Sequence, residues 1–223
     1  MTPASVPSSF ASGTEAITLV VLLTEFAMFR VAMSRSQVKL YCLQSLAVSV
    51  LAVFVAANQH IGELYVLAGL SFFLKVVIVP GIVMRLLRDT RVDLSGSNRF
   101  GVATMILIAI AISVFGFFVV SGLPVYAHSM PSAPFGLAMA VILVAFLLVI
   151  LRSDVVSQAF GFFALENGVS VASLVLAARL PLVADIGFLF DLLVAVVVFG
   201  VLIRVHHGRA GTLSTQVLDR LRG

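Results

Sequence analysis

Seven long apolar runs divide this 223-residue chain, roughly Glu15–Met33, Lys39–Ala57, Ile61–Leu87, Gly101–Ser121, Ala133–Leu151, Val155–Ala178 and Leu182–Val205. About 20 apolar residues cross a bilayer, so each run is long enough to span one. Hydrophobic residues make up 61% of the chain and charged residues 11%, against roughly half and a quarter in a soluble domain. Lipid offers no water to unpaired backbone N–H and C=O groups, which leaves helices as the available structure for such runs. The expected class is therefore an all-α integral membrane protein, a bundle of about seven transmembrane helices. Connections are short, favouring antiparallel neighbours; the two longest are about Arg88–Phe100 and Gly122–Pro134. Residues 1–14 read as an extracytoplasmic tail, 15–121 as a four-helix region, 133–205 as a three-helix region and 206–223 as a cytoplasmic tail.

The loops set the orientation. Arg30, Arg35 and Lys39 lie between runs one and two, and Arg85, Arg88, Arg91 and Arg99 around the junction of runs three and four. Arg152 separates runs five and six, while Arg204, Arg209, Arg220 and Arg222 follow run seven. The alternate loops hold only Arg179. Lys and Arg concentrate on the cytoplasmic side of membrane proteins. The expectation is an N terminus outside and a C terminus in the cytoplasm of a prokaryotic plasma membrane. The formal net charge of +4 is then a membrane-topology signal rather than a nucleic-acid one. The N-terminal stretch carries no Lys or Arg before the first run, so it lacks the basic start of a cleavable signal peptide.

Several chemistries find no support. The single cysteine, Cys42, excludes an intrachain disulfide and a four-cysteine metal or cluster site. His60, His128, His206 and His207 fall near run ends or in loops, and the adjacent pair does not share a helix face. No nucleotide-binding glycine loop, HExxH or GxSxG pattern occurs.

What remains is a set of ionisable residues inside the apolar runs. Glu166 sits in Gly161-Phe162-Phe163-Ala164-Leu165-Glu166-Asn167-Gly168, within run six. A charge at the bilayer centre costs about 3 kcal/mol or more. Glu166 lies fourteen residues past Arg152, and Asp191 thirteen before Arg204. At about 1.5 Å of helix rise per residue, both carboxyls lie about 20 Å from those arginines. The arginines are expected to reach the interface of a core about 30 Å thick, which puts both acids near mid-membrane. Lys75, ten residues before Arg85 and thirteen before Arg88, falls about 15–20 Å deep by the same arithmetic.

Small and hydroxyl residues share the faces of these groups: Ser170 and Ser173 with Glu166, Gly187 and Ala195 with Asp191, Ser71 and Ala68 with Lys75. Such faces suit close helix approach or hydration. Pro80 removes a backbone bond to Val76 and is expected to loosen the turn beside Lys75. Three ionisable groups at a common depth read as a proton or ion relay of Glu166, Asp191 and Lys75. A static polar staple fixing helix register is the other reading. Glu25 and Asp185 are secondary candidates. Glu25 has Arg30 or a neighbouring helix as possible partner, and Asp185 lies near the outer end of run seven.

These residues also carry a family resemblance. Leu165-Glu166-Asn167-Gly168 after Arg152, the intramembrane Asp191, and the tail Leu218-Asp219-Arg220-Leu221-Arg222-Gly223 resemble the three-helix K component of respiratory complex I and the related C component of multisubunit sodium/proton antiporters. Leu40-Tyr41-Cys42-Leu43-Gln44-Ser45-Leu46 and Leu74-Lys75-Val76-Val77-Ile78-Val79-Pro80 extend the match. From about Lys39 onward the chain resembles the hydrogenase-4 component E family, membrane subunits of formate-hydrogenlyase-type nickel–iron hydrogenases. The resemblance implies a membrane-arm subunit beside antiporter-like proton-pumping subunits. It further implies no cofactor in this chain, with iron–sulfur clusters and nickel–iron in partner subunits. By residue match, Glu166 takes the place of the first family carboxylate and Asp191 that of the second. Asp191 stands where the complex I component has glutamate, and the Arg152–Glu166 spacing is about three residues longer. A structural membrane adaptor and a subunit of a cation/proton antiporter are the competing functions.

Overall fold

The computed structural model describes residues 8–31, 34–88, 100–121, 132–153, 155–176 and 200. Run seven apart from residue 200, with Asp185 and Asp191, and the basic tail lie outside the described residues, so the expectations placed on them have no structural counterpart. The described helices are α1 (Ser8–Arg30), α2 (Ser34–Gln59), α3 (Gly62–Phe72), α4 (Val79–Arg88), α5 (Val102–Ser121), α6 (Ser132–Leu151) and α7 (Val155–Leu176). A π-helical segment, Phe73–Ile78, joins α3 to α4 without a break. No strand occurs among the described residues, and five helical stretches are long and apolar enough to cross a membrane. The chain is an all-α membrane protein.

Helix α1 begins at Ser8, seven residues before the first apolar run, so half of the expected N-terminal tail is helical. Hydroxyls make this possible. Thr14 donates to the Phe10 carbonyl at 2.6 Å, and Thr18 to the Thr14 carbonyl at 2.8 Å. Each polar side chain is thereby satisfied by its own helix and enters the interior without a lost hydrogen bond. Phe10 then stacks on Phe54 of α2, with ring centroids 5.7 Å apart.

The helices form a ring of four, α1, α2, α7 and α6, each packed on its chain neighbour, with α1 also against α6 and α2 against α7. The α3–π–α4 rod lies outside α2, and α5 lies outside α6. Of the five spans, α6 is the most buried and α5 the least. Leu107, Phe115 and Phe118 of α5 are about two-thirds exposed, as expected of a lipid-facing helix, since apolar surface is at no disadvantage there. Close approach of α7 to α6 depends on Gly161 and Gly168, seven residues apart on one face. A Cβ at Gly161 would stand 2.9 Å from the Val149 backbone nitrogen, and one at Gly168 would stand 3.2 Å from that of Ile142.

The α2–α3 corner is turned by His60, whose φ of 55° is left-handed. The Ile61 N–H reaches back to the Ala56 carbonyl at 3.2 Å. That bond closes the helix end in the manner usually served by glycine.

A buried ion pair and amide network

The loosened turn expected before Pro80 is the π segment itself. Proline has no N–H to offer the Val76 carbonyl, and the Val79 N–H bonds instead to Leu74, five residues back. Widening the helix there turns Lys75 inward, where it is 1% exposed. Such π turns are frequent at functional sites.

Lys75 meets α7. Its ammonium forms an ion pair with Glu166 at 2.5 Å, donates to Asn167 Oδ1 at 3.2 Å and to Ser170 Oγ at 3.1 Å. Ser170 in turn donates to Glu166 Oε1 at 3.1 Å. All three ammonium hydrogens are thus engaged. The two groups that depth arithmetic placed in one layer are in direct contact, and the Glu166–Ser170 stripe faces the lysine. Glu166 is the more open partner, its side chain 11% exposed.

The network continues inward through amides. Asn167 is fully buried and donates to Gln44 Oε1 at 3.1 Å and Ser45 Oγ at 3.0 Å, both on α2. Gln44 donates to Glu25 Oε1 on α1 at 3.0 Å. Of the two partners open to Glu25 from the sequence, the neighbouring helix is the one realised. Arg30 lies five residues along α1, about 140° around the helix, and is exposed. A continuous chain of side-chain contacts therefore runs Glu25–Gln44–Asn167–Lys75–Glu166 across three helices and the π segment. Tyr41 of α2 packs with Phe160 and Phe163 of α7, ring centroids 5.4–6.0 Å apart.

Gln44, Ser45 and Asn167 carry no role that the sequence alone points to, although all three lie in stretches that bear the family resemblance. Uncharged amides carry no depth or charge-bias signal, and Asn167 is 123 residues from its partner Gln44. Low polarity strengthens such bonds and makes an unpaired member expensive.

A second polar cluster closes the end of the ring. Arg152 is expected to reach the membrane interface, but it is only 3% exposed. Its Nη2 donates to the carbonyls of Met28, Phe29 and Val31 at 2.6, 3.2 and 2.8 Å. The reason is local: the last carbonyls of α1 lack intrahelical partners, and a cation complements the negative end of the helix dipole. Gln37 and Ser157 brace the same corner, bonded to each other in both directions at 2.8 and 3.0 Å.

Fold and site together define a class: a multi-span helical membrane protein with an ion pair and an amide network held in its interior. The comparisons agree with the resemblance carried by the motifs, for the chain is similar to proteins named Hydrogenase-4 component E. It is 27% identical to the Escherichia coli (strain K12) protein of that name over 203 residues, 91% of this chain and 94% of that protein. The Shigella flexneri protein of the same name matches to the same extent. An uncharacterised protein of Mycobacterium tuberculosis is 43% identical over 65 residues, 29% of this chain and 30% of its own length. No family model matches the chain, and no solved structure matches it.

Proposed function

We propose that the chain is a non-redox membrane subunit of a multisubunit, complex I-related hydrogenase-type complex, and that Lys75 and Glu166, with Asp191, contribute to its proton path. Membership in such a complex is supported by likeness to Hydrogenase-4 component E along nearly the whole of both chains. The single observation that carries the proton role is the Lys75–Glu166 pair, its lysine buried on a π turn and its Glu166 side chain 11% exposed. Buried ionisable groups within membrane spans serve ion and proton pathways by default. In this reading the N terminus is outside, the C terminus is cytoplasmic, and the partners are antiporter-like proton-pumping subunits. Iron–sulfur clusters and nickel–iron belong to other subunits.

The second reading is a structural adaptor that anchors partner subunits. It is favoured by the cross-helix amide bonds, which would serve helix register equally well.

Glu166→Gln and Asp191→Asn separate the two. Each keeps the side-chain shape and removes the titrating group. The expected result is an assembled complex with electron transfer retained and proton translocation per electron reduced several-fold. Unchanged translocation in both assembled variants supports the adaptor.

A further inference from the structure

Glu25 lies outside the ion pair but inside the same network. It is fully buried on α1, its Oε1 accepts from Gln44, and its Oε2 has no hydrogen-bond partner among the described residues. Every donor from Lys75 onward points the same way. Lys75 Nζ donates to Asn167 Oδ1, Asn167 Nδ2 to Gln44 Oε1, and Gln44 Nε2 to Glu25 Oε1. An ammonium only donates, which fixes the oxygen of Asn167 toward Lys75. The Ser45 and Gln44 acceptors fix its amino group on the other side. The two amides are therefore locked in one orientation, and one ammonium faces two carboxyls. It meets Glu166 directly and Glu25 through two aligned dipoles.

The charges around Glu25 can be counted by element. Helices α5 and α6 contain no acidic or basic residue. Helix α2 offers Tyr41 and Cys42, with Arg35 and Lys39 exposed at its start, and α7 offers Glu166. On α1 itself Arg30 is exposed, and Glu15 lies ten residues away. Arg152, the other buried cation, places its Nη2 on the terminal carbonyls of α1, and Glu25 Oε2 meets no donor among the described residues. A carboxylate buried with one neutral amide donor is expensive to keep charged, whereas Glu166 has Lys75 in direct contact. Of the two carboxyls, Glu25 is therefore the one that holds a proton.

We propose that Glu25 is a second proton-binding carboxyl of this site, coupled to the Lys75–Glu166 pair through the aligned amides of Asn167 and Gln44. Its use rests on the proton-path reading above; its occupancy does not. The amides carry no proton. The coupling is one of equilibrium, with bulk water as source and sink of the protons. Uptake of a proton from water at Glu166 frees the Lys75 charge and favours ionisation of Glu25, whose proton returns to water; ionisation of Glu166 favours the reverse. The number of protons held by the two carboxyls together is thereby conserved.

The test is infrared spectroscopy of the full chain in lipid bilayers, following the carbonyl band of protonated carboxyl groups and its shift in D2O. The wild type is expected to show a band that Glu25→Gln removes. Glu166→Gln, which imitates proton arrival, is expected to take the same band to baseline. Gln44→Met cuts the amide link; there the Glu25 band is expected to persist and to stop responding to Glu166→Gln. A band unaffected by Glu25→Gln overturns the proposal, as does one that survives Glu166→Gln at full intensity with Gln44 intact. Should Glu25→Gln fail to fold, the Glu166→Gln and Gln44→Met comparisons still decide it. The readout is proton occupancy, so failure of the transport test above leaves this result distinguishable.

Discussion

Lys75→Met is expected to destabilise the helical assembly by about 3–5 kcal/mol, the range for removing one partner of a buried ion pair. The lysine ties the π segment to α7 by its ion pair with Glu166 and its hydrogen bonds to Asn167 and Ser170. Methionine fills a similar volume, so the loss is of charge and hydrogen bonds rather than packing. Glu166 is left without a counter-charge, and Asn167 Oδ1 loses its donor. The double variant Lys75→Met/Glu166→Gln removes both charges and is expected to be more stable than Lys75→Met alone. Reversible unfolding by increasing SDS in mixed micelles measures both. Two neighbouring groups joined in this way should show a coupling energy of about 0.5–3 kcal/mol. Strict additivity of the two substitutions contradicts the pair's energetic importance.

Arg152→Met should cost about 3 kcal/mol by the same measurement, the upper end for a hydrogen bond to a charged group. Three carbonyls at the end of α1 accept from this one guanidinium, and only that of Val31 has a further side-chain donor shown, Gln37 at 3.1 Å. With the side chain buried, water does not readily replace it. The loss should appear at the α1–α2 and α6–α7 corner. Faster amide hydrogen exchange is expected at the end of α1, with the Lys75 region protected as in the wild type. Loosening of both regions together would mean that the clamp and the ion pair are one cooperative unit.

Much of the site was legible in the sequence because charges are rare in apolar runs. The spacing of Glu166 from Arg152 and of Lys75 from Arg85 is enough to place both in one layer. The position of Pro80 is enough to anticipate a loosened turn. The same reasoning misread Arg152 itself. Depth arithmetic gives height along a helix but not direction around it, and the arginine turns inward to α1 instead of outward to headgroups. Helix α1 was cut short because Ser, Thr and Gly read as tail. Back-bonding of Thr14 and Thr18 to their own helix is a satisfaction that hydropathy does not register. Gln44 and Asn167 lie inside the stretches that carry the resemblance, but nothing local assigns them a role, since that role lies in a contact across 123 residues.

The most direct test of a proton role replaces Lys75 with arginine. Arginine keeps the positive charge, the donors and the bridge to Glu166, but its planar fork binds a carboxylate bidentately and more firmly than an ammonium does. A static staple tolerates that exchange, whereas a relay in which Glu166 must take up a proton beside the cation does not. The measurement is protons translocated per electron by the assembled complex carrying Lys75→Arg. Normal assembly with translocation reduced at least about tenfold, the scale of roughly 1.4 kcal/mol in a rate barrier, is the predicted result. Normal assembly with wild-type translocation would contradict it.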